Sequence, residues 1–171
     1  FERKNRAFNE QEVCVVDLTT GKVKVLIHEI DKPFMDYKMA NIMFLNDGRD
    51  IIYRSERTGW GHYYLYDGEG NFKHAITSGE WVAGPCIEVD TVGRTLYFYA
   101  LGKDKNIDPY YYTPCRVNID KPESLTQLTF DNTNHQIHFS KSFDYFVDIC
   151  ERVDMVPRIV LKNRKGKEIM E

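Results

Sequence analysis

Tyr53-Arg54-Ser55-Glu56-Arg57-Thr58-Gly59-Trp60-Gly61-His62-Tyr63-Tyr64-Leu65-Tyr66-Asp67 reads as two strands and the turn between them. Ile51, Ile52 and Tyr53 close the first run. Gly59 and Gly61 punctuate the connection, where a residue without Cβ takes positive φ at no steric cost. Tyr63 to Tyr66 form the second run, rich in the aromatics that suit a pleated, half-buried surface. Gly68-Glu69-Gly70-Asn71 is a further turn, and Asn71 to Ile76 is a third strand.

The same grammar extends both ways. Upstream, Val13 to Asp17 and Lys22 to His28 are strands around the turn Leu18 to Gly21. The second alternates Val23, Val25 and Ile27 with Lys22, Lys24 and Leu26, the period of a strand with one buried face. Ile42 to Leu45 and Asp50 to Arg54 flank the hairpin signal Asn46-Asp47-Gly48. Downstream, strands are expected at Gly84 to Val89, Thr95 to Ala100, Tyr110 to Val117, Ser124 to Leu128, His135 to Phe139, Tyr145 to Cys150, Arg158 to Lys162 and Glu168 to Met170. Helical periodicity is nearly absent.

These strands repeat. First strands start near Ile42, Gly84 and His135, so units begin 42 and 51 residues apart. Asn46 to Tyr53 lines up with Asp90 to Phe98, and Leu65 to Gly70 recurs loosely as Leu161 to Gly166. A period of roughly 40–50 residues with four strands per unit marks propeller blades. The fold class expected is all-β, a partial β-propeller of about three to four four-stranded antiparallel blades. It forms one domain over 1–171, with a two-stranded blade remnant over 1–30 and blades over approximately 40–78, 82–129 and 134–171. A closed ring needs roughly 4–8 blades, and both termini read as interior positions of a longer chain.

Composition narrows the function. Hydrophobic residues make up 42% of the 171, enough for a packed core. A net charge of −3, with no basic stripe beside the aromatic strands, argues against nucleic acid as a partner. Cys14, Cys86, Cys115 and Cys150 are widely spread beside apolar runs, the pattern of free buried thiols rather than a disulfide framework.

Motifs for chemistry are sparse. No serine lies in G-x-S-x-G, and Gly59-Trp60-Gly61 lacks the Lys and helix of a phosphate loop. His135 and His138 fall on opposite faces of a strand, poor for joint chelation. Asp104-x-Asn106-x-Asp108 has alternating oxygen ligands, but Pro109 stands where a calcium loop needs Gly, so a solvated loop is expected. No catalytic residue, metal or cofactor is therefore assigned. Glu2, Arg3, Lys4, Asn5 and Arg6 form a charged cluster expected at a solvated sheet edge. Trp60 and Trp81 are expected in the core.

Ser55 to Asp67 followed by Ile76-Thr77-Ser78-Gly79-Glu80-Trp81-Val82 resembles the N-terminal β-propeller region of dipeptidyl peptidase IV-like enzymes, in the prolyl oligopeptidase class of serine peptidases. Asn5-Arg6 before Val13 to Asp17 is similar to the N-R-x-Q strand entry of that propeller, with Phe8 or Asn9 where Gln is usual. Phe139 to Asp148 resembles its F-S-x-x-x-x-Y-x-V blade. The resemblance implies a parent enzyme in which an eight-bladed propeller caps an α/β-hydrolase domain and N-terminal dipeptides are removed by a Ser-Asp-His triad. That triad would lie beyond Glu171, and the paired glutamates that hold the substrate amino terminus would lie before Phe1. By position, the loop Phe34 to Lys38 would line the substrate pocket, with Tyr37 and Lys38 as its aromatic and basic residues.

What this implies is a non-catalytic propeller segment that shapes and gates a peptide cavity, with peptide substrate and a C-terminal α/β-hydrolase domain as partners. A periplasmic or extracellular setting follows from the resemblance alone. Exposed blade faces at the two ends lead to an expectation of self-association. The alternative is a stand-alone propeller acting as a protein-interaction scaffold.

Overall fold

The computed structural model describes residues 1–36 and 41–171, and no helix occurs among them. Fifteen strands follow in order: β1 (Glu2–Lys4), β2 (Glu10–Val16), β3 (Val23–Ile30), β4 (Ile42–Leu45), β5 (Asp50–Ser55), β6 (His62–Asp67), β7 (Phe72–Ala75), β8 (Val82–Asp90), β9 (Thr95–Leu101), β10 (Thr113–Asn118), β11 (Lys121–Gln127), β12 (Asn134–Phe139), β13 (Tyr145–Glu151), β14 (Arg158–Asn163) and β15 (Glu168–Met170). They form four antiparallel sheets of sequential neighbours, β1-β2-β3, β4 to β7, β8 to β11 and β12 to β15. The chain divides into two compact units, Phe1–Ala75 and Ile76–Glu171, each with two sheets.

The first sheet has three strands where the sequence predicts two. Glu2 to Lys4 carries no apolar alternation, yet it pairs with β2 from Glu2 opposite Val13 to Lys4 opposite Gln11. The charged cluster is thus the exposed edge strand itself. In β3, Ile27 and Glu29 are buried, whereas Val23 and Val25 are exposed. Tyr110 and Tyr111 lie outside β10. Asp108 accepts from the Tyr110 backbone N–H through its side chain and from that of Tyr111 through its carbonyl, which turns the chain there.

In the first unit the core joins Val13 and Ile27 of the first sheet to Ile51, Tyr53, Tyr64 and Tyr66 of the second. The quoted hairpin is its centre, since every residue of β5 is buried and only Asp67 of β6 is not. In the second unit Tyr97, Leu128, Ile137 and Phe146 form the core, with Phe139 and Phe143 against Tyr97. The Tyr99 hydroxyl accepts from the Ile137 N–H at 2.9 Å. Trp81 is buried and stacked on Phe98 with centroids 6.1 Å apart, as expected. Trp60 is not: it is 41% exposed at the tip of the β5–β6 turn, because the hairpin carries it past the sheet edge. The four cysteines are free thiols, three buried and Cys86 half-buried. Burial pushes the Cys86 and Cys115 thiols up to about 12.

One backbone contact recurs in both units. Gly70 has φ +90°, and a Cβ there would stand 2.1 Å from the Leu26 carbonyl oxygen. Gly166 has φ +84°, and a Cβ there would stand 2.3 Å from the Leu128 carbonyl oxygen. In each unit the last hairpin of one sheet thus presses its turn against the preceding sheet's chain.

Alanine at any positive-φ position costs about 1–2 kcal/mol. Gly48 shares that conformation (φ +82°) but faces open space. Gly70→Ala and Gly166→Ala should therefore lower the urea midpoint clearly more than Gly48→Ala does. Equal losses would show that the close approach contributes nothing.

Candidate functional site

The loop singled out by sequence leaves β3 and runs toward β4. Tyr37 and Lys38 lie outside the described residues. Its first part is tethered: the Asp31 N–H donates to the Asn9 carbonyl at 3.0 Å and the Met35 N–H to the Phe8 carbonyl at 2.7 Å. The Lys32–Pro33 peptide is cis, and Phe34 is exposed.

Beside this loop, at the end of β5, is a polar pocket. Gln11, Glu29, Asp31, Met35, Asp36 and the run Tyr53 to Glu56 line it. Its interior, about 20 Å³, has room for one water molecule and not for a peptide side chain. Four carboxylates and Arg54 give it mixed charge.

Glu29 is the hub. Strand alternation places it on the same inward face as Ile27, and it is 7% exposed. The Ser55 hydroxyl donates to Glu29 Oε1. Arg57 donates to Ser55 Oγ from its backbone at 3.1 Å and from Nε at 3.0 Å, and its Nη2 lies 3.7 Å from Glu29 Oε2. The Arg57 guanidinium also sits 4.4 Å over the Tyr64 ring and 5.7 Å over that of Tyr66. Burial first, and the Glu29 carboxylate next, push the Tyr53 phenol well above its ordinary range. Ser55 thus donates to the Glu29 carboxylate and accepts from Arg57, so its hydroxyl joins the two charges across the cluster.

Arg54 is 2% exposed and reaches Glu56 at 3.3 Å. A Cβ on Gly61 would stand 1.9 Å from its Nη2. Only Gly59 of the two turn glycines has positive φ, at +83°. Gly61 is needed instead to make room for a buried guanidinium. Both polar atoms of the Gln11 amide, which is 1% exposed, lack a hydrogen-bond partner among the described residues.

The other predicted positions resolve simply. His135 is buried and His138 exposed, on opposite faces as expected. Asp104 accepts from the Asn106 N–H at 2.9 Å, so its carboxylate closes a loop turn. Glu29, Arg57 and Gln11 were not anticipated. Extending the alternation of β3 by one more step places a charged side chain inward, which is the signal that would have revealed Glu29.

Residues 1–157 match the family described as the dipeptidyl peptidase IV (DPP IV) N-terminal region. The chain belongs to that family. Among relatives, the dipeptidyl peptidase 4 of Arthroderma otae is 41% identical over 102 residues, covering 57% of this chain and 13% of that protein. The dipeptidyl peptidase 4 of Trichophyton rubrum is 41% identical over 98 residues, covering 55% of this chain and 12% of that protein. The chain thus spans about an eighth of the relatives it matches. The crystal structure of Porphyromonas gingivalis dipeptidyl peptidase 4 superposes with a TM-score of 0.79 at 21% identity, over 98% of this chain and 23% of that one. That likeness shows the fold, and this DPP IV N-terminal segment is a partial β-propeller.

Removing a donor to a buried carboxylate costs about 1–3 kcal/mol. Ser55→Ala and Glu29→Gln should each lose that much in urea denaturation, and the double variant should lose clearly less than their sum, because one interaction is removed twice. Additive losses would show that the two groups are energetically independent.

Proposed function

We propose that this segment is the non-catalytic propeller part of a dipeptidyl peptidase IV-like serine peptidase, where it shapes and gates the cavity that admits peptides to a hydrolase domain elsewhere in the parent. The observation that carries this is the family match over 1–157, within relatives of which the segment makes up about an eighth. The pocket supports it from a second side. The Glu29–Ser55–Arg57 cluster and the tethers at Asp31 and Met35 give residues 31–36 a fixed base.

In this proposal Tyr37 supplies an apolar wall and Lys38 a donor toward the peptide backbone. The partners are the peptide substrate and a C-terminal α/β-hydrolase domain, in a periplasmic or extracellular setting. The triad comes from that domain, so the segment alone has no turnover.

Two measurements follow. In a full-length protein containing this segment, Tyr37→Ala and Lys38→Ala should each raise KM for a dipeptide chromogenic substrate about tenfold, the equivalent of about 1.4 kcal/mol of lost binding, with kcat little changed. The 171-residue chain alone should release no chromophore. Turnover by the segment, or unchanged KM in both variants, would overturn the proposal.

The isolated segment should also self-associate. Val15, Val16, Val23 and Val25 are exposed on the first sheet, and Ile159, Ile169 and Met170 on the last. Light scattering should give a mass above that of one chain that rises with concentration, and a clean monomer at high concentration would contradict it.

A further inference from the structure

The second unit holds a buried polar cluster that the peptidase reading does not use. His135 and Asp148 are fully buried and Lys162 nearly so. His135 Nδ1 donates to Asp148 Oδ1 at 2.9 Å, and Lys162 Nζ donates to Asp148 Oδ2 at 2.7 Å. The other ring nitrogen, Nε2, faces the opposite way. It lies 3.1 Å from Thr133 Oγ1 and 3.6 Å from Asp131 Oδ1, and the Thr133 hydroxyl donates to Asp131 Oδ2 at 2.6 Å. Strand register sets Cys150 directly opposite His135. One ligand atom each of Asp131, His135 and Cys150 lies within 4.8 Å of the others.

We propose that Asp131, His135 and Cys150 bind a divalent transition-metal ion of the zinc class. An imidazole, a thiol and a carboxylate are the mixed donors such an ion takes, whereas calcium and magnesium select oxygen alone. The buried Asp148 holding Nδ1 is the second observation. Ligating histidines commonly donate their far N–H to a carboxylate, which fixes the ring and raises its basicity. A structural His–Asp–Lys network accounts for Asp148 and Lys162. The Cys150 thiol also faces Asp148, but the network does not account for a second carboxylate, Asp131, 3.6 Å from Nε2 and close to that thiol.

Charge and access fit as well. A dication with the Cys150 thiolate and two aspartates, against Lys162, leaves the site neutral. His135 and Cys150 are buried, while the Asp131 side chain is 49% exposed and provides the entrance. Three protein ligands leave the fourth tetrahedral position for water or an external group. The ion takes the place of the Nε2–Thr133 contact, and the thiol proton of Cys150 is released to solvent.

The test is cobalt(II) added to the full 171-residue chain. Binding should produce a thiolate-to-cobalt charge-transfer band in the near ultraviolet, and zinc should displace it at one ion per chain. Cys150→Ser should abolish the band, while Cys86→Ser should leave it intact. Asp131→Asn, at a partly exposed position that should not disturb folding, should weaken zinc at least about tenfold in competition with a chromophoric chelator, the scale of losing one contact in a metal site. Far-ultraviolet circular dichroism confirms that each variant is folded. No band in the folded parent chain, a band that persists in Cys150→Ser, or zinc affinity unmoved by Asp131→Asn would each overturn the site.

Discussion

Two strands with both faces covered impose the architecture. β5 and β6 are buried along almost their whole length, and an antiparallel sheet ordinarily leaves one face to water. A four-stranded sheet cannot cover its own two faces, so it needs neighbours built the same way. In the first unit Val13 and Ile27 cover Tyr53 and Tyr66 from one side. In the second, Ile137 and Phe146 do the same for Tyr97. The turns at Gly70 and Gly166, pressed against backbone carbonyls, are the closest expression of that stacking. Repetition along the sequence is therefore a consequence of burial, not an ornament of it.

Charge sits inside this scaffold in both units. Glu29 is held by Ser55 and Arg57, and Asp148 by His135 and Lys162. Burial raises the cost of the Asp148 carboxylate, but the hydrogen bonds and charges of His135 and Lys162 outweigh it and hold its proton affinity below the ordinary range. A buried charge that loses one partner is expensive, whereas a fully partnered one discriminates among registers. A one-residue slip of β3 would turn Glu29 outward and leave Ser55 and Arg57 without it.

Much of the fold was legible because period-two alternation and turn chemistry act locally. The Asn46-Asp47-Gly48 and Gly68-Glu69-Gly70 signals fall where hairpins close, and the match between Leu65 to Gly70 and Leu161 to Gly166 identifies two turns that prove to make the same contact. β1 was hidden because an edge strand needs no apolar face. Trp60 misled because an aromatic beside glycines can equally cap a turn in water. The candidate site was less legible. Tyr37 and Lys38 came from resemblance, and Glu29 and Arg57 meet across 28 positions, a pairing made by the packing of the first sheet against the second. Gly61 shows the same limit: its role depends on where the Arg54 guanidinium lies, which no local pattern encodes.

The stacking of doubly covered sheets is most directly tested by residue-resolved amide hydrogen exchange on the 171-residue chain. The amides of Ile51 to Arg54 and Tyr63 to Leu65 should exchange only through global unfolding, and far more slowly than those of the edge strands β1 and β15. Exchange in β5 and β6 as fast as at those edges would mean that the central hairpin is not enclosed, and the account of a sheet buried by its packing would be wrong.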